Sequence, residues 1–287
     1  MLGSLFGVGL AASPRTVLTP LRHARFVALT LIVGWAICPL VALFLLRVVP
    51  LDQAYAIALI MLSLAPAAPF APAMMRLAHG DAAYTAAFMV LVAAATVVVM
   101  PLAVPIFMEG AAVTPLQIAR PLVLFVLLPL VAGMLTRQFH PAFAGRTQAP
   151  VATVTNVAGI ALLLLIAVLY GRGVLDAIGS YAIGLQIVFV SLVTLLAHGL
   201  GRGLRDDQRN VLTLGMCSRN LGVALAPLMA IESDTRSMVM VAIAAPVTLV
   251  ISAVTARWLA REPPRAARAD GDSIGRDPRR RTTADTA

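Results

Sequence analysis

Long apolar stretches separated by short polar turns dominate this chain. Eight of them reach the roughly 20 residues that a helix needs to cross about 30 Å of hydrocarbon. They lie near residues 25–46, 54–77, 83–108, 116–136, 150–170, 180–200, 210–230 and 237–259. A ninth apolar segment, at residues 2–12, is about half a span long, and no basic region precedes it as a secretory signal would require. The pattern predicts an all-α membrane protein with about nine transmembrane segments, the first of them partial.

Composition and charge support this prediction. Apolar residues make up 60% of the chain and charged residues only 12%, against about 25% charged in soluble domains. The net charge of +9 comes from 22 basic residues, all of them arginine, which lie at segment ends and in the tail. This placement favours orientation in a lipid bilayer over nucleic-acid binding, and it predicts an inner-membrane protein with a cytoplasmic C-terminus.

The last residues differ from the rest of the chain. Residues 263–287 are rich in Pro, Arg, Asp and Thr and contain few large apolar side chains. Such a segment cannot bury enough surface to fold. We therefore expect a transmembrane domain over residues 1–262 and a disordered cytoplasmic tail over residues 263–287.

Two of the apolar segments carry residues that interrupt a helix. Pro66, Pro69 and Pro72 flank Phe70 in the second segment, and each proline removes a backbone donor and obstructs the preceding turn. In the seventh segment, the small and polar run Cys217-Ser218-Arg219-Asn220 stands at mid-span. Unpaired backbone at membrane depth is tolerated only inside protein or beside a cavity, so both breaks should lie within the bundle.

The two breaks occupy corresponding positions, roughly half the chain length apart. Each is followed by a short apolar piece, a charged turn and a long apolar segment. Paired broken segments are typical of secondary transporters built from inverted repeats, with the binding site at the breaks. We therefore expect one repeat at about residues 1–108 and a second at about residues 114–260.

The residues around the first break resemble the bile acid:sodium symporter (BASS) family. Its signature reads C-P-G-G-x-x-S-N-x-x-T-x-L-A-x-G-D-x-x-L-S, and residues 65–68, 77–81 and 84–85 lie over it without a gap. Residues 217–226 are similar to the family's second-repeat segment, G-M-Q-N-S-G-L-A-x-x-L-A. The resemblance implies an NhaA-like inverted-repeat transporter fold with two crossed discontinuous helices. It also implies that the family's first helix is missing here.

The same resemblance places the family's sodium ligands on residues that mostly lack a ligating oxygen. The acidic residue of the second break falls on Gly215, and its glutamine falls on Arg219. The remaining ligand positions fall on Gly34, Ala71, Pro72 and Met89. Only Thr85 keeps a hydroxyl, as a residual ion-site position, so we expect no cofactor and no metal, with the usual two sodium sites lost.

Arg219 is the only charged residue between Arg209 and Glu232, and a buried guanidinium keeps its charge. It has two interpretations. It can replace the ion by bonding to Asn220 or to backbone carbonyls of the breaks, or it can present a bidentate fork to a carboxylate or sulfonate substrate. We also expect Asn156 to line the cavity.

The function predicted is secondary transport of an organic anion, bile-acid-like or another carboxylate or sulfonate, by alternating access with altered or absent sodium coupling. A symporter that binds sodium through backbone ligands only, and a non-transporting sensor or scaffold, are the alternatives. No nucleophile–base pair, paired Asp or His-rich cluster lies in the spans, so the sequence does not indicate an enzyme. A monomer and a homodimer fit the sequence equally well.

Overall fold

The computed structural model of the protein describes residues 2–107, 114–230 and 234–261, and within them the chain is helical without a β-strand. The predicted tail lies outside the described residues and stays a prediction. The helices of these ranges are α1 Leu2–Ala11, α2 Pro14–Leu21, α3 Ala24–Val48, α4 Gln53–Ser63, α5 Ala71–Leu77, α6 Ala82–Phe107, α7 Pro115–Phe139, α8 Pro141–Asp176, α9 Ala182–Leu200, α10 Asp206–Cys217, α11 Leu221–Ala230 and α12 Thr235–Arg261.

Six of the described helices are long and apolar enough to cross a bilayer, namely α3, α6, α7, α8, α9 with its following turn, and α12. This confirms a multi-pass, all-helical membrane protein. The two remaining predicted spans are each split, into α4 and α5 and into α10 and α11. Both interruptions lie where the sequence analysis expects them, whereas the count of nine segments and the inverted repeat stay predictions.

Two boundaries differ from the sequence-based expectation. The segment expected at residues 150–170 is part of a single helix of 36 residues, Pro141–Asp176, with Pro150 inside it. The polar stretch after α1 is not a loop but the helix α2. The side chain of Ser13 caps α2 by accepting a hydrogen bond from the Thr16 backbone N–H at 3.1 Å, and Pro14 occupies the first helical position, where no N–H is needed.

Helices α3 and α7 each contain one π-helical turn, at Val33–Ile37 and at Val123–Leu127. Each turn is followed within two residues by a proline, Pro39 or Pro129. A proline inside a helix lacks a donor and clashes with the carbonyl four residues earlier. The wider π turn at that place lets both helices continue.

Helix α1 is short, yet it packs extensively on α7. The contact depends on two glycines. A Cβ atom on Gly9 would lie 2.8 Å from the Gly133 Cα, and one on Gly133 would lie 2.9 Å from the Gly9 Cα. The two backbones therefore touch where they cross, as small residues allow in membrane helices. Together with α8, these helices form a group that we call the α1–α7–α8 group.

Candidate functional site

The first break, residues 64–70, lies between α4 and α5. Pro66 cannot continue α4 because it has no N–H, and Ala67 adopts a left-handed conformation with φ of +65°. Pro72 is tolerated because it stands at the start of α5, where backbone donors are unpaired anyway. Ala65 to Ala68 are buried, whereas Pro69 is exposed. The break therefore has a buried half and an open half.

The second break, residues 218–220, crosses the buried half of the first. The Asn220 N–H donates to the Ala65 carbonyl at 2.8 Å, and the Ala67 N–H donates to the Ser218 carbonyl at 3.0 Å. These bonds flank an antiparallel bridge between Pro66 and Arg219. The crossing therefore pairs backbone groups that each helix leaves open, as the low-polarity surroundings require.

The Arg219 side chain is fully buried at this crossing. Its Nη1 donates to the Ser63 carbonyl of α4 at 3.3 Å, and its Nη2 donates to the Met216 carbonyl of α10 at 2.7 Å. Nη2 also donates to the Cys38 Sγ at 3.2 Å, and the guanidinium carbon lies 5.2 Å from the centre of the Phe189 ring. One cation thus bridges the last turns of α4 and α10.

Arg219 does not bond to Asn220, which was one of its expected partners. The Asn220 Oδ1 instead accepts from the Val223 backbone N–H at 3.3 Å and so caps α11. Among the described residues, the Arg219 Nε has no partner. These contacts favour the interpretation of Arg219 as a replacement for an ion over that of a substrate anchor.

Two of the positions onto which the family's ion ligands fall are glycines, and they differ in the space around them. A Cβ atom on Gly215 would collide with the Phe88 ring, and one on Gly34 would lie 3.4 Å from the Met216 Cε. The ring of Phe88 is fully buried. The space that a carboxylate at position 215 would need is therefore filled by an aromatic side chain.

The outer ends of the broken helices are tied to each other as well. On one side, the Asn210 Nδ2 donates to the Ala78 carbonyl at 2.8 Å, and Arg205 pairs with Asp207 at 2.6 Å and Asp81 at 3.9 Å. The hydrogen bonds that the Arg205 guanidinium donates to the Asp207 carboxylate raise the pKa of Arg205. On the other side, Arg236 pairs with Asp52 at 2.8 Å. The contacts of Asn210 and of Arg205 with Asp81 join the start of α10 to the turn between α5 and α6, whereas the Arg236–Asp52 pair joins the start of α12 to the start of α4.

A cavity of about 410 Å³ lies between the α1–α7–α8 group and the first break. This volume is in the range of small-molecule sites. Its walls come from α1, from the open half of the first break with α5, from the start of α6, and from α8. The lining residues are Gly3, Ser4, Gly7, Val8, Ala11, Pro69, Phe70, Pro72, Ala73, Arg76, Ala82, Thr85, Ala86, Met89, Gln148, Ala152, Thr155 and Asn156.

The predicted site residues divide between the crossing and the cavity. Pro66, Cys217, Ser218, Arg219 and Asn220 are buried at the crossing. Pro69, Phe70, Thr85 and Asn156 line the cavity. The Thr85 hydroxyl is buried and has no hydrogen-bond partner among the described residues. A buried polar group without a partner is uncommon and is satisfied by water or by a ligand.

Sequence reasoning missed Arg76 and Gln148, which also line the cavity. Arg76 was used only as an indicator of orientation. Its spacing could have revealed it, because Pro72, Ala73 and Arg76 recur at intervals of three and four residues and so share one face of α5. Gln148 stands on α8 without a comparable local pattern.

Within residues 2–107, 114–230 and 234–261, no group of three or more His, Cys, Asp or Glu side chains could hold a metal ion. The chain has no match among curated proteins. The sequence model of the Sodium Bile acid symporter family matches residues 1–178, which include every residue that lines the cavity. Since this match covers more than half of the 287-residue chain, the protein belongs to the sodium bile acid symporter family of membrane transporters.

Proposed function

We propose that the protein is a secondary transporter of an organic anion, a carboxylate or a sulfonate with an apolar body. The substrate occupies the cavity between the α1–α7–α8 group and the broken helices. Alternating access then consists of a movement of the broken helices against that group. The observation that carries this proposal is the cavity itself, which ends on the open half of the first break and holds the unpartnered Thr85 hydroxyl.

Transport in this proposal does not require sodium. An ion at the crossing would meet Arg219, and two unit charges about 4 Å apart repel by about 4 kcal/mol at an effective dielectric constant of 20. Arg219 already donates to carbonyls of both broken helices. The fixed guanidinium therefore does the structural work of a bound cation.

The arginine distribution gives this transporter its orientation. Arg76, Arg146 and Arg205 stand at turns or helix ends of the side that the positive-inside rule assigns to the cytoplasm. The Arg76 end of the cavity then faces the cytoplasm, in the inner membrane, with the C-terminus on the same side.

Counterflow in proteoliposomes tests the proposed function. Vesicles loaded with unlabelled cholate, taurocholate or naphthoate receive the same compound in labelled form, in sodium medium and in potassium medium. We expect saturable uptake of at least one compound, at equal rates in the two media. Absence of flux for every compound under every gradient would contradict the proposal, and uptake that needs sodium would support backbone-only ion ligands instead.

A pair of variants on α8 links that flux to the cavity. Ala152 is exposed and lines the cavity, and Ala158 is exposed but does not line it. Ala152→Trp should abolish uptake by filling the cavity, whereas Ala158→Trp should leave uptake unchanged. Equal effects of the two substitutions on uptake would place the substrate elsewhere.

A further inference from the structure

We infer that Arg76 binds the anionic group of the substrate and thereby orients it, with the apolar body directed towards Phe70 and Met89. This inference rests on the proposed function, since it assumes that the cavity holds the transported anion. It adds a residue that decides which ligands the cavity accepts.

The wall of the cavity carries a single charged side chain. Arg76 is the only ionisable side chain among the residues that line the cavity. Within the described residues, the ion pairs of Arg205 with Asp81 and Asp207 and of Arg236 with Asp52 do not include Arg76. The cavity therefore carries a net positive charge that an incoming anion can satisfy.

Arg76 lies at one end of the cavity, away from Phe70. Arg76 lies in the last turn of α5, and Phe70 precedes that helix. Six residues of helix separate them by about 9 Å. Helix α6 begins after the turn that ends α5, and its lining residues follow in the order Ala82, Thr85 and Met89 with increasing distance from that turn. The cation consequently stands at one end of the cavity, and apolar side chains stand at the other.

The wall formed by α8 is polar but uncharged. Helix α8 contributes Gln148, Thr155 and Asn156, which are neutral groups able to donate hydrogen bonds. A carboxylate or a sulfonate can accept from these donors while it pairs with Arg76. A second negative charge would lie among apolar side chains and would be disfavoured. The cavity is thus built for a monoanion with an apolar body, and not for a neutral compound or a dianion.

Four probes with one apolar body test this inference: naphthoate, naphthalenesulfonate, methyl naphthoate and naphthalenedicarboxylate. Equilibrium dialysis on the purified full chain measures their binding independently of transport. We expect the two monoanions to bind at least about tenfold more tightly than the ester and the dianion, as one charge-assisted contact provides. Raising the salt concentration should weaken the binding of the monoanions but not that of the neutral ester, because an exposed ion pair is screened.

Substitutions at Arg76 complete the test. Arg76→Gln should lower the affinity for naphthoate about tenfold and remove the salt dependence of binding. Arg76→Lys should keep most of the affinity and most of the salt dependence, because it keeps the positive charge. Arg22→Gln is the matched control, because Arg22 is also exposed but does not line the cavity. Thermal unfolding of each variant checks that the fold is intact.

The possible outcomes separate this inference from the proposed function. Binding that requires Arg76, without any flux in vesicles, would overturn the transporter and leave the Arg76 site standing. Flux with the same affinity in Arg76→Gln as in the unmodified protein would overturn the Arg76 site and leave the transporter. Absence of saturable naphthoate and naphthalenesulfonate binding to the unmodified protein would also overturn the Arg76 site.

Discussion

The two breaks pair with each other through their backbones, yet they differ in chemistry and surroundings. The first is produced by prolines, and its open half, Pro69 and Phe70, borders a cavity. The second is short, fully packed, and contains the buried cation Arg219. We therefore propose that the second break supports the structure and that the first break faces the ligand. An ion that would ordinarily serve both breaks is not needed for the contacts that are seen.

Two arginines, Arg219 and Arg76, differ in the same way as the two breaks. Arg219 is fully buried and donates to two carbonyls and one sulfur atom. Arg76 is exposed, lines the cavity, and has no ion-pair partner within the described residues. A buried guanidinium with its donors engaged holds structure together, whereas one at a cavity wall can exchange water for an anion. The two residues should therefore respond differently to the same substitution.

The largest effect is expected at Arg219. Arg219→Gln removes a charged donor from the Ser63 and Met216 carbonyls, and hydrogen bonds to charged groups contribute about 1.5–3 kcal/mol each. We expect a loss of about 3 kcal/mol in the free energy of unfolding and at least a tenfold loss of flux. Thermal unfolding in detergent and counterflow measure the two quantities. As a control, Arg76→Gln should leave the free energy of unfolding unchanged. Unaltered transport kinetics in Arg219→Gln would show that Arg219 has no part in the mechanism.

A smaller effect is expected at Gly215. Gly215→Ala places a methyl group against the Phe88 ring, and overpacking of this kind costs about 1–3 kcal/mol. The double variant Gly215→Ala with Phe88→Leu should recover part of that loss, because the smaller side chain vacates the space. Thermal unfolding of the single and double variants measures this coupling. Additive losses would mean that Phe88 does not fill the position next to Gly215.

The smallest effect is expected at the ion pair between the start of α4 and the start of α12. The Asp52 and Arg236 side chains are 42% and 58% exposed, and ion pairs as exposed as this contribute up to about 1 kcal/mol. Asp52→Asn should therefore lower the unfolding temperature only slightly, and less so at high salt. A loss as large as that of Arg219→Gln would show that the contact between α4 and α12 stabilises the protein as much as the crossing does.

The sequence predicted those features of the fold that depend on local chemistry. Pro66, Pro69 and Arg219 are unusual within apolar segments, so both breaks could be located, and their matching positions suggested that they meet. Helix α2 was missed because Pro14, Thr16 and Pro20 resemble loop residues, although Ser13 caps a helix there.

The cavity could be predicted only in part. Its walls come from four helices that are far apart in the chain, and only tertiary packing brings Gly3, Arg76 and Thr155 to one surface. Likewise, the filling of the Gly215 position by Phe88 depends on how α6 packs on α10, and no pattern in either helix reveals it. The position of Arg76 on the cavity wall was missed because arginines at helix ends ordinarily indicate orientation in the membrane.

Direct measurement of sodium binding tests the central claim, that Arg219 stands in place of the ion at the crossing. Purified protein is equilibrated with radioactive sodium at constant ionic strength, and bound ion is counted over a range of sodium concentrations. We expect no saturable binding, either alone or in the presence of a transported anion. Saturable binding of one or two sodium ions per protein would contradict the claim.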